Sequence, residues 1–116
     1  MKPTLEYVSQ GRHGYVHYKD ITGELSFYFE FGGGNCIAII NIPSPTDWSK
    51  LTNRPLTERE GILFFVAEQV TKDQVQNGYY EIKEGWIEIM TRWISTLLLF
   101  LYSNLRALRD LRARWQ

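Results

Sequence analysis

The sequence predicts an α+β domain: a mostly antiparallel sheet of about five strands, one packed helix and a long C-terminal helix. Three observations predict it. Apolar residues recur at period two in several short runs. Those runs are joined by turn-forming residues close enough to make hairpins. The helical patterns are segregated from them, as in α+β and not in alternating α/β chains.

The elements follow in order. Leu5 to Ser9 alternates weakly and reads as a first strand. His13 to Lys19 sets Tyr15 and His17 against Val16 and Tyr18, with β-favouring aromatics. Asp20-Ile21-Thr22-Gly23 suits a hairpin connection. Glu24 to Phe31 places Leu25, Phe27, Phe29 and Phe31 on one face and Ser26, Tyr28 and Glu30 on the other. Gly32-Gly33-Gly34-Asn35 is a loop. Cys36 to Ile42 is almost wholly apolar, as expected of a central strand covered on both sides.

Pro43-Ser44-Pro45 ends that strand, since proline donates no ladder bond. Ser44 or Thr46 is positioned to cap a short turn through Asp47, Trp48 and Leu51. Thr57-Glu58-Arg59-Glu60 fits a capping box with Thr57 as N-cap. A helix is expected from about Glu58 to Thr71, running to Val75 at the longest. Ile62, Phe65, Val66 and Val70 make its apolar face, with Leu63 at the margin. This helix should cover the Leu25/Phe27/Phe29 face. Gly61 in its first turn costs about 1 kcal/mol against alanine, and close approach to the sheet would justify it. Asn77-Gly78 terminates the helix. Tyr79 to Ile82 and Trp86 to Met90 form a second hairpin, with Gly85 available for a positive φ.

Residues 1–90 therefore read as an α+β domain, and 91–116 as an amphipathic helix that belongs or is appended to it. The last segment has no Gly and no Pro and is rich in Leu, Arg and Ala. Ile94, Leu98, Leu101, Leu105, Leu108 and Trp115 trace a heptad seam, broken at Arg112. Leu97 to Tyr102 is apolar on every side, and such a helix needs cover on every side. Trp93 to Leu105 falls short of the roughly 20 apolar residues that span a bilayer. Three placements follow: on the domain's own sheet, against another copy through the seam, or on a membrane surface with arginines at anionic headgroups.

Charge sharpens this picture. The 116 residues balance 13 basic against 13 acidic side chains. Residues 1–90 hold eight basic and twelve acidic side chains, whereas 91–116 hold five arginines and one aspartate. A neutral chain with an acidic body disfavours nucleic acid as a partner. A single cysteine, Cys36, excludes an intrachain disulfide, and the polar N-terminus carries no signal-like apolar run. A cytoplasmic location is the expectation.

No constellation of catalytic residues emerges. His13 and His17 share a strand face but stand roughly 13 Å apart at 3.3 Å per residue, too far to share a metal. Cys36 as a nucleophile would need its strand beside theirs; buried cysteine in an apolar run is otherwise plain core. The glycines at 32–34 precede a strand and lack the Lys-Ser/Thr ending of a phosphate loop, so a hairpin turn is the reading. No catalytic residue, metal or cofactor is expected. Trp48, Tyr15 and Tyr28 are candidate recognition residues, with a loop anchor as the other reading of Trp48. The expectation is a non-enzymatic protein-interaction domain that self-associates through its C-terminal helix, as a dimer first. The alternatives are a peripheral membrane protein using that helix, and a binding protein of the toxin-neutralising immunity kind, whose small α+β domains are similar at the level of fold class.

Overall fold

The computed structural model describes residues 2–92. They form a six-stranded, wholly antiparallel sheet in the order β1-β2-β3-β4-β6-β5. The strands are β1 (Thr4–Gln10), β2 (His13–Lys19), β3 (Glu24–Phe31), β4 (Cys36–Asn41), β5 (Gly78–Ile82) and β6 (Trp86–Thr91). Helix α1 (Trp48–Thr52) is short, and α2 (Arg59–Gln74) is the one long helix among the described residues. The α+β, antiparallel class holds.

The strand count of about five is corrected to six. The N-terminal run is a full strand, paired with β2 from Thr4↔Lys19 to Gln10↔His13. The expected C-terminal helix, with its seam Ile94, Leu98, Leu101, Leu105, Leu108 and Trp115, lies outside the described residues from position 93 on. Thr91, expected to open it, is instead the last residue of β6, paired with Gly78.

Helix α2 covers one face of the sheet. Val16, Phe27, Phe29, Ala38, Ile40, Ile87 and Ile89 meet Ile62, Leu63, Val66, Ala67 and Val70 in one core cluster. Leu63 is fully buried and not marginal, because the buried stripe runs 62, 63, 66, 67, 70. Phe65 is the flank residue, edge-on to Tyr18 with ring centroids 5.8 Å apart. Since only one layer of helix is present among the described residues, β4 is covered on one side alone: Ala38 and Ile40 face α2, Ile37 packs against the same core at a register shift, and Ile39 is half-buried on the other face.

Two local expectations fail for identifiable reasons. Thr57 does not cap α2, because Leu56–Glu58 winds as a 3₁₀ turn and α2 begins after it without a side-chain cap. Arg59 fixes the entry instead. Its Nε and Nη2 donate to Pro43 O at 3.2 and 3.0 Å, and Nη2 also donates to Glu84 O at 3.0 Å. Gly61 makes no close approach, since a Cβ there would meet nothing within 4 Å. Gly61→Ala should therefore stabilise the protein by about 1 kcal/mol, the helix-propensity difference alone. A urea midpoint that stays put or falls would contradict this.

The turns are held by side chains and by dihedrals. Asp20 Oδ1 accepts the Thr22 and Gly23 amides at 2.9 and 3.2 Å, closing the β2–β3 hairpin. Asp47 N–H donates to Ser44 Oγ at 3.3 Å, so Ser44 and not Thr46 holds the α1 turn. After α2 the left-handed residue is Asn77 (φ 52°), not Gly78. Gly85 does not take a positive φ; that hairpin closes through Lys83 N–H to Trp86 O at 2.7 Å.

Candidate interaction face

The sheet face opposite α2 gathers side chains that lie far apart in the sequence. Strand alternation and register place them in rows. One row crosses the sheet as Gln10, His13, Glu30, Ile39, Glu88 and Glu81. Beside it run Val8, Tyr15 and Tyr28 on one half, and Met90 paired with Tyr79 on the other. Val8, Tyr15 and Trp86 are 43%, 42% and 41% exposed, and Tyr28, Ile39 and Met90 are half-buried.

The rings on this face touch one another. Tyr15 meets Tyr28 edge-on at 5.7 Å and stacks beside His17 at 6.2 Å, and His13 lies 5.8 Å from Tyr28. Carboxylates fix the polar ends. Tyr28 Oη donates to Glu30 at 3.0 Å, and Trp86 Nε1 donates to Glu88 at 2.9 Å. His17 Nδ1 lies 2.7 Å from Ser26 Oγ and 3.6 Å from Glu24. Among ladder positions on this face, Glu6, Glu24, Glu30, Glu81 and Glu88 stand against one lysine, Lys19. The face is apolar in its middle and acidic around it.

Among the described residues, His13, His17 and Cys36 do not come together. β3 separates the strand of His13 and His17 from that of Cys36, so neither histidine is a neighbour of the thiol. Burial pushes the Cys36 thiol up, and the Glu88 carboxylate pushes it further the same way, which is the wrong direction for a nucleophile. The triple glycine is a turn. A Cβ on Gly32 would lie 2.5 Å from Cys36 O, and Gly34 takes φ 62°. Among the described residues no three His, Cys, Asp or Glu side chains group as metal ligands. No helix among them is long and apolar enough to cross a membrane. An open cleft of about 500 Å³ lies where β4 parts from the start of β3, lined by Glu24, Phe27, Asn41, Ile42, Leu51 and Thr52 among others. Glu24 is its one charged group, and Ser26, whose Oγ lies 2.7 Å from His17 Nδ1, lines it as well.

No protein-family model, curated protein or solved structure matches the chain.

Of the three candidate recognition residues, Tyr15 and Tyr28 sit together on the helix-free face. Trp48 does not. It is fully buried, with Nε1 donating to Pro55 O at 3.0 Å, and is the loop anchor. Tyr18 is buried on the core side beside Val16, where its Oη donates to Asp20 at 2.8 Å. Burial and that carboxylate push its phenol up to about 12. Sequence reading missed the acidic row. Glu30, Glu88 and Glu81 come from three strands and fall in one row, with Ile39 between Glu30 and Glu88, through the β3-β4-β6-β5 order; the alternation within β3 and within β6 was its visible trace.

Proposed function

We propose that the chain is a non-enzymatic protein-interaction module that assembles copies of itself through residues 94–115. The observation that carries this reading is the leucine seam of residues 94–115, and beside it stands the sheet face opposite α2, on which no helix lies among the described residues. That face presents aromatic and aliphatic side chains at roughly two-fifths exposure, in the company of tyrosine and tryptophan, the residues that anchor protein interfaces. The body's one long helix is already spent on the opposite face. The leucine seam supplies the self-complementary element, and its heptad spacing suits pairing with a second copy.

Sedimentation equilibrium of the full chain over a wide concentration range tests the reading. The expected result is a monomer–dimer equilibrium. Leu98→Asp/Leu105→Asp should weaken it at least about 100-fold, since two buried leucines contribute roughly 3 kcal/mol or more between them. A full chain of monomer mass at every concentration would refute self-association.

A further inference from the structure

We propose that residues 93–116 dock on the helix-free face of their own sheet, leaving the leucine seam outward for a second copy. The inference rests on the self-association reading for the outer side of the segment and identifies the cover of its inner side. A stretch apolar all round, as Leu97 to Tyr102 is, needs two covers. The seam provides one. At helical spacing Leu99 and Phe100 fall away from the seam and require the other.

Four observations point to the open face. The first is where the described chain stops. Thr91 ends β6, the strand next to one edge, and the Arg92 side chain already lies on the helix-free side, with its guanidinium 4.6 Å from the Tyr79 ring centroid and Nη1 donating to Gly78 O at 3.0 Å. The described chain therefore ends beside this face. The second is length. Twenty-four residues make a helix of about 36 Å, and six strands span about 24 Å, so the segment reaches across the sheet after a short reversal.

The third is charge. The ladder positions of the face carry five carboxylates against Lys19, with Lys83 paired to Glu81 at 2.8 Å and Arg92 at the margin, whereas residues 93–116 carry Arg106, Arg109, Arg112 and Arg114 against Asp110. The signs are complementary. A second copy of the same acidic face would repel it. The fourth is apolar match: Tyr15, Tyr28, Ile39, Trp86 and Met90 offer area that leucine and phenylalanine cover well, while the α2 side of the sheet is occupied. The assembly that results is a stack in which α2, sheet and tail of one molecule meet tail, sheet and α2 of the next.

Limited trypsin digestion of the full chain reads this directly, because the tail's own arginines are the cleavage sites. Cutting at Arg106, Arg109, Arg112 and Arg114 should be slow in the native protein compared with the urea-unfolded chain. Glu30→Lys/Glu88→Lys should speed it about tenfold or more, because proteolysis tracks the population of the open form. The isosteric Glu30→Gln/Glu88→Gln should speed it less, and guards against a variant that does not fold. Glu60→Lys, exposed on α2, should leave it unchanged. Sedimentation of the same samples separates the two readings. Tail cutting as fast in native as in unfolded protein overturns the docking. So does protection that rises with concentration and ignores Glu30 and Glu88, although self-association then survives. Protection that depends on Glu30 and Glu88 in a chain that stays monomeric supports the docking and removes the assembly reading.

Discussion

Asp20→Ala is expected to cost about 3–5 kcal/mol of folding stability, the penalty for leaving a buried charge without its partner. Arg54 is 5% exposed, and its Nη1 and Nη2 grip both Asp20 oxygens at 2.8 Å. Glu58 stands farther off, 3.4 Å from Nη1 and with its side chain 40% exposed, and replaces Asp20 poorly. Asp20 also accepts from Tyr18 Oη and from two amides of its own turn, so one carboxylate ties the β2–β3 hairpin to the segment between α1 and α2. Urea denaturation at neutral pH measures the loss. A cost below about 1 kcal/mol would mean that Arg54 swings out to water and the pair is dispensable.

The same pair gives the protein an acid limb. Arg54 holds the Asp20 carboxyl well below the usual carboxylate range, helped by Tyr18, Thr22 and Gly23 and opposed by burial. A carboxyl whose folded value is depressed binds its proton more readily in the unfolded chain. Its contribution is therefore complete above the unfolded value of about 4 and is lost as pH falls from there toward the folded value. The native protein should weaken over that interval, and Asp20→Ala should lack this part of the slope.

Trp48→Ala is the second large effect, at about 3–5 kcal/mol, from lost apolar burial plus the cavity left behind. The ring is fully buried and its Nε1–H is the partner of Pro55 O. Trp48→Phe keeps most of the ring and removes one of two hydrogen bonds to that carbonyl, which also accepts the Glu58 N–H at 3.0 Å, and should cost about 1 kcal/mol. Leu51→Ala, three residues on and 66% exposed, is the control and should change stability by less than about 0.5 kcal/mol. Denaturation midpoints of the three variants check the order. A Trp48→Ala cost no larger than that of Leu51→Ala would show that the loop does not depend on its anchor.

How much was legible in the sequence depended on whether a residue's role was local. The alternation of β3 and the spacing of α2 are local properties, and both appear where their patterns place them. The Asp20–Gly23 turn is legible for the same reason. Thr57 failed because a capping box says nothing about a 3₁₀ turn that shifts the start by a residue, or about a neighbouring arginine that takes over the anchoring. Gly61 failed because an unoccupied position and a crowded one look alike in one dimension. Arg54 belongs to no local pattern, and only the fold brings it to Asp20, 34 positions earlier. The open face is a mixed case. Tyr15 and Tyr28 were visible strand by strand, but the acidic band needs cross-strand register, which no single strand contains.

The strand order has a further bearing, on how the molecule comes to be folded. Every pairing joins successive strands except that of β4 with β6, which matches Cys36 with Met90 and Asn41 with Trp86. The first four strands form an up-and-down ribbon that needs only short loop closures, and the final hairpin needs only its own turn. Uniting the two requires the chain that carries both helices to fold back as a unit. That central seam is where the entropy of closure is concentrated, so its formation should govern the rate of the whole, and amides along β4 and β6 should be among the last to gain protection from solvent exchange.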